Sequence, residues 1–215
     1  MKIAVVTSRF PYPLEKGDKL RLYFQIKYLA QHHEILLLSL IDEPLAEVNL
    51  QHVQQFCKTI HVFPIQKKTA QWNVVKALFN HTPLEVSYFF DKKIKQKIEQ
   101  IIHAEQPDHI YCQLLRMAEY VRQLPYPKTI DYMDAFSVGM LRRAENSNWI
   151  LKYFLKKDAA QIADYERVIY SDFDTHTIIS QQDQQFLKIK EKENIHVLPN
   201  GVDTHFFTPM PRVKK

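Results

Sequence analysis

Glycine is scarce in this 215-residue chain: Gly17, Gly139 and Gly201 are the only three. A GxGxxG dinucleotide loop or a phosphate-cradling P-loop needs glycines at close spacing, so the sequence argues against NAD binding and against a P-loop NTPase. Such scarcity also makes each glycine a candidate for a special backbone position. The two cysteines, Cys57 and Cys112, are too few for a disulfide framework and read as buried, reduced thiols. The ten histidines show no metal-ligand spacing, and neither HExxH nor Cys-x-x-Cys occurs, so no metal site is expected. No apolar run is long enough to cross a bilayer. The longest, residues 35–41, has strand length. A strand pattern follows Met1-Lys2 at once, without a signal-peptide layout, which suggests a cytoplasmic protein.

What is present is ordinary globular composition: 46% hydrophobic and 25% charged residues, with a formal charge of +5. The positive excess suits nucleic acid, an anionic membrane surface or a phosphate-bearing ligand, and charge alone does not choose among them. The lysine rows Lys92, Lys93, Lys95, Lys97 and Lys188, Lys190, Lys192 carry no interleaved aromatics. They read as solvated faces, and no nucleic acid partner is expected.

Strand-like and helix-like segments alternate along the chain. Strands are expected at 2–7, 34–41, 59–64, 108–112, 128–132, 176–180 and 195–198. Helices are expected from Asp18, over 45–56, 72–79, 91–104 and 114–124, over 135–170 with a break near Asn146-Ser147-Asn148, and after Ser180. Asp18 is expected to cap the first helix, and Ser180-x-x-Asp183 reads as a capping box. This alternation implies an α/β Rossmann-like, doubly wound parallel sheet forming one domain over 1–199.

In open α/β sheets ligands bind beyond the carboxyl ends of the strands. Four places qualify. The first is the loop Ser8-Arg9-Phe10-Pro11-Tyr12-Pro13-Leu14-Glu15-Lys16-Gly17-Asp18, continuing to Lys19 and Arg21, where a helix N-terminus and basic side chains favour an anion. The second is Gln113 to Met117, with Gln113 and Arg116. The third is Asp131-Tyr132-Met133-Asp134, whose two carboxylates could bind sugar hydroxyls, or one could act as a base, with a helix cap as the plain role for Asp134. The fourth is the turn at Asn200-Gly201. Elsewhere, Trp149-Ile150-Leu151-Lys152-Tyr153-Phe154-Leu155-Lys156-Lys157 mixes aromatics with lysines, as a core helix with snorkelling lysines or a membrane-surface helix would.

The stretch Val197-Leu198-Pro199-Asn200-Gly201-Val202-Asp203-Thr204-His205-Phe206-Phe207-Thr208-Pro209 reads as a last strand, a turn needing φ > 0, and an exit. It resembles the link between the two halves of a GT-B glycosyltransferase of family 4. The motif Pro11-Tyr12-Pro13-x-x-Lys16-Gly17-Asp18-Lys19-x-Arg21 is similar to sugar transferases of bacterial exopolysaccharide clusters. The resemblance implies the N-terminal, acceptor-side domain of a retaining, metal-independent transferase, inactive alone. A glycan or lipid-linked acceptor would lie against Pro13, Lys16, Gly17, Asp18, Arg21, Gln113 and Arg116. Asp131 and Asp134 would stand near the reacting sugar. Many family members carry a histidine where this chain has Asp131-Tyr132. Residues 200–215 would begin the linker to a C-terminal domain holding the nucleotide-sugar donor, with Asn200 and Gly201 on the donor side and Phe206 and Phe207 at the junction. Lipid-linked acceptors keep a peripheral membrane contact through residues 149–157 in play. The alternatives are a stand-alone glycan- or lipid-phosphate-binding domain and, lower, another Rossmann-like enzyme such as an epimerase, whose expected glycine-rich loop is missing.

Overall fold

The structure, a computed structural model, describes residues 1–80 and 82–201. Seven parallel strands form one sheet: β1 (Lys2–Thr7), β2 (Glu34–Ile41), β3 (Thr59–Pro64), β4 (His109–Gln113), β5 (Lys128–Asp131), β6 (Thr175–Ile178) and β7 (Ile195–Val197), in the order β3-β2-β1-β4-β5-β6-β7. From β1 the chain winds outward through β2 and β3, then returns to β4 on the other side of β1. The β1/β4 boundary is therefore the topological switch point, where a crevice opens beyond the strand ends.

The central strands read as continuous apolar runs because both sheet faces are covered. Ile3, Val5, Ile35 and Leu37 pack with Leu22 and Ile26 of α1 (Gly17–Leu29) and Val53 of α2 (Glu47–Gln54). The alternate residues Ala4, Val6, Leu36, Leu38, Ile110, Cys112 and Ile130 face the opposite core. That core takes side chains from α4 (Leu84–Phe89), α5 (Lys92–Glu105), α6 (Ala118–Val121) and α8 (Trp149–Tyr170). In α5, Ile94, Ile98 and Ile102 are buried one turn apart, and Asp91 Oδ1 caps the helix by accepting from the Lys93 and Ile94 amides at 2.7 and 3.1 Å.

Several local expectations change. The helix expected over 72–79 runs as α3 (Lys67–Asn80), and the unforeseen α4 follows it. The expected helix 114–124 divides into a 3-10 turn, Leu115–Met117, and the short α6. The break near 146–148 separates α7 (Phe136–Glu145) from α8, with Asn148 capping α8 through the Leu151 amide. α9 (Gln181–Phe186) is capped by Ser180 Oγ, which accepts from the Asp183 amide at 3.0 Å.

Asp18 lies inside α1, whose preceding residue, Lys16, has no side-chain cap; its Oδ1 accepts from the first-turn Lys19 amide at 3.0 Å, as expected, while its Oδ2 is held by Arg9 and Arg116 and does not serve the helix. Nor does Asp134 cap α7, which follows Ala135 without a side-chain cap. The scarce glycines do not occupy left-handed backbone, and a Cβ added at any of them would meet nothing within 4 Å. Positive φ falls instead on Gln106, Leu114 and Met133. Cys57 and Cys112 are free and buried, and desolvation pushes the Cys57 thiol up to about 12. The expectations for Phe206 and Phe207 lie outside the described residues.

Candidate functional site

The first two segments converge at the switch point because β1 and β4 are neighbours. Ser8 and Arg9 leave β1, while Leu114 and Arg116 leave β4. Arg116 is buried and fully engaged: Nε donates to Ser8 Oγ at 2.7 Å, Nη2 to Asp18 Oδ2 at 3.0 Å and Nη1 to Glu85. Its guanidinium also lies 4.5 Å from the Phe89 ring centroid. Arg9 Nη1 donates to the same Asp18 oxygen at 2.6 Å. Burial alone would raise the Asp18 carboxyl, but the Arg9 hydrogen bond and the charges of Arg9 and Arg116 outweigh it and hold it below the usual range. Gln113, also buried, accepts from Thr7 Oγ1 at 2.7 Å and donates to the Asp18 carbonyl at 2.8 Å. Gln113 and Arg116 thus brace the crevice wall, with β1, β4 and the start of α1 locked together.

One strand along, α1 and β5 meet in a second buried pair. Arg21 Nε donates to Asp131 Oδ2 at 2.7 Å and Nη2 to Oδ1 at 3.3 Å. Tyr111 Oη and the Met133 amide also donate to this carboxylate, at 2.7 and 3.1 Å. Arg21 Nη1 continues to the Leu198 carbonyl at 2.9 Å and Asn200 Oδ1 at 2.7 Å. Arg21 therefore ties the chain's exit after β7 to α1 and β5. Asp131 is enclosed and saturated with donors, which makes it an anchor in this arrangement; it offers no open oxygen to a reacting group.

Asp134 differs. It is exposed, and its carboxyl is held above the usual range, first by partial desolvation and then by the negative charge of Asp183, with Glu85 adding to it. Beneath it Glu166 is wholly buried; its carboxylate accepts from Ser137 Oγ at 3.0 Å and more weakly from the Ser137 amide. Burial pushes Glu166 up to about 7 against the opposing Ser137 bonds, and Asp134 contributes in the same direction. Lys16 and Gly17 are exposed on the rim with Pro13 half-buried beside them, so this stretch of the loop is open to a ligand. Gly201 is exposed at the end of the described chain.

Sequence reasoning missed Ser8, Arg9, Glu85, Phe89 and Glu166. Arg9 and Ser8 were within the flagged loop, but their partners are between 9 and 108 residues away, a separation no local pattern reports. It also missed the left-handed Leu114 and Met133, which turn the chain directly after β4 and β5; bulky residues there store backbone strain beside the crevice. Among the described residues no group of three or more His, Cys, Asp or Glu is arranged to hold a metal ion.

No family model matches the chain. An uncharacterized 44.6 kDa protein in the cps region of Klebsiella pneumoniae is 23% identical over 135 residues, covering 60% of this chain and 31% of that protein. Among solved structures, a sucrose-phosphate synthase from Thermosynechococcus elongatus superposes with a TM-score of 0.60 at 13% identity, covering 97% of this chain and 50% of that one. A UDP-glucosyltransferase from Polygonum tinctorium gives 0.52 at 10% identity, covering 94% and 52%. The UDP-GlcNAc 2-epimerase from Methanocaldococcus jannaschii gives 0.51 at 9% identity, covering 92% and 45%. The chain spans about half the length of these structures. A glucosyltransferase and an epimerase are both among these structures, so the shared architecture does not by itself separate those reaction types. What the likeness establishes is the fold: a seven-stranded parallel α/β sheet matching the Rossmann-like domains of GT-B proteins.

Proposed function

We propose that this chain is the N-terminal, acceptor-side half of a family 4-like GT-B glycosyltransferase working in the cytoplasm. The complete enzyme would move a sugar, with retention and without a metal, from a nucleotide-sugar to a glycan or lipid-linked acceptor. The observation that carries the reading is the hold of Arg21 on Asp131, Leu198 and Asn200, which fixes the exit of the chain beside the switch-point crevice. That is where a second, donor-holding domain has to be attached if the two are to share a cleft. The partial relative in a cps region supports a place in cell-surface polysaccharide synthesis.

In this reading Pro13, Lys16 and Gly17 form the acceptor rim. Asp18, Gln113 and Arg116 keep that rim in place, and Asp134 supplies the accessible carboxylate at the transferred sugar. Asp131 acts through Arg21, and Asn200 and Gly201 border the donor side. Because an epimerase shares the fold, an epimerase half is the second reading. Calorimetric titration of the chain with UDP- and GDP-sugars, then with acceptor glycans and lipid phosphates, tests both. Acceptor binding without nucleotide-sugar binding is expected. Tight binding of a UDP-sugar with no acceptor binding would overturn the proposal in favour of the second reading.

A further inference from the structure

Two helices turn their large apolar side chains outward. In α3 the buried side chains are Ala70 and Ala77, while Trp72, Val75, Leu78 and Phe79 are exposed, Phe79 at 83%. In α8, Leu155, Ala159 and Ile162 face the core, and Trp149, Ile150, Tyr153 and Phe154 face out, Trp149 at 81%. In α3 this reverses the usual arrangement, in which the apolar stripe is buried, and in α8 the outward side chains add a second apolar face at its first turns. The two helices meet at the α3–α4 corner: Lys157 Nζ donates to the Leu78 carbonyl at 3.4 Å, and Asp158 Oδ1 accepts from the Leu84 amide at 2.9 Å, which places the third turn of α8, one turn beyond Tyr153 and Phe154, beside the end of α3.

Charge on these segments has one sign. Lys67, Lys68 and Lys76 lie on α3, and Lys152, Lys156 and Lys157 on the first turns of α8, whereas neither 67–80 nor 146–157 contains a carboxylate. Lys76 Nζ sits 5.6 Å from the Trp72 ring centroid. Tryptophan, tyrosine and phenylalanine set among lysines match a lipid headgroup boundary, where rings enter the acyl edge and ammonium groups meet phosphates. Protein partners fit less well, because lysine is depleted at protein interfaces, and a second copy would bring like charges face to face.

We propose that the joint face of α3 and the N-terminal end of α8 docks on an anionic lipid bilayer. The step beyond the sequence reading is α3, which supplies half of the surface from about 75 residues away. The proposal does not depend on the acceptor reading of the crevice, since it concerns another surface and needs no sugar.

The chain's two tryptophans, Trp72 and Trp149, both lie in this face, so its intrinsic fluorescence reports docking directly. The experiment mixes the full chain with phosphatidylcholine vesicles, with or without phosphatidylglycerol and brominated lipid. A blue shift and bromine quenching are expected with phosphatidylglycerol, weakening as salt rises. The variants Phe79→Ser/Tyr153→Ser and Lys68→Gln/Lys156→Gln/Lys157→Gln, all at exposed positions, should each weaken partitioning roughly tenfold or more with unchanged thermal unfolding. Emission indifferent to anionic vesicles, or undiminished binding by both variants, would overturn the proposal. So would a blue shift that tracks protein concentration without lipid, which assigns the face to a second copy.

Discussion

Arg21 Nε lies 2.7 Å from Asp131 Oδ2, with the two side chains 3% and 0% exposed, and the same guanidinium reaches Asn200. A buried pair of this kind is costly to break from one side, because the surviving charge stays in a site without water. Arg21→Met is therefore expected to lower stability by about 3–5 kcal/mol, and Arg21→Met/Asp131→Asn to recover much of that loss. Urea unfolding of the single and double variants gives the coupling. Additive losses would show that the pair does not act as a unit.

Glu166 gives the fold a pH dependence of definite sign. Its carboxyl, about 7 in the folded chain against 4.5 ordinarily, retains a proton that the unfolded chain releases between those values. Stability from this group is complete below pH 4.5 and declines as pH rises towards 7, by roughly 3 kcal/mol in all. His176 opposes it. Burial, chiefly, pushes its imidazole down to about 4, with His196 acting in the same direction and Asp174 against it, so acidification below 6.5 favours the unfolded chain. Glu166→Gln should remove the alkaline decline and unmask the His176 limb. Urea midpoints measured across this range check it, and a variant with the parent's alkaline slope would rule Glu166 out as its source.

Asp134 is exposed, and its side chain makes no hydrogen bond or ion pair with another described residue, so Asp134→Asn is expected to leave stability within about 0.5 kcal/mol of the parent. Under the proposed function, the same change in the complete transferase should lower turnover about a hundredfold. It should also remove an acid limb lying above the ordinary carboxylate range, the direction in which its neighbours shift it. Turnover and its pH profile, measured beside thermal unfolding, separate this role from a structural one.

The seven strands were legible in the sequence within a few residues, because sheet burial on both faces leaves short apolar runs that a sequence displays directly. The amphipathic α5 was legible too, its isoleucines recurring at helical spacing. The short pieces were not. Leu114 interrupts the expected helix by taking φ 70, while its amide donates to the Asp131 carbonyl, a tertiary demand that overrides helix propensity. Of the candidate residues, Gln113, Arg116 and Asp131 were found as polar groups at strand ends, and Arg21 as a basic residue where the first loop enters its helix. Their burial was not foreseen, since each is satisfied by partners far along the chain.

The order of apolar runs, punctuated by proline and polar turns, was enough to determine a parallel α/β sheet and to mark the strand ends where ligands gather, because those properties follow from local periodicity. Pairing was decided by the tertiary structure alone. It set Arg21 against Asp131, closed Arg9 and Arg116 around Asp18, and left Asp134 open. It also set the third turn of α8 beside the end of α3. These relations depend on which strands become neighbours, and loop closure across many residues leaves no local trace in the sequence.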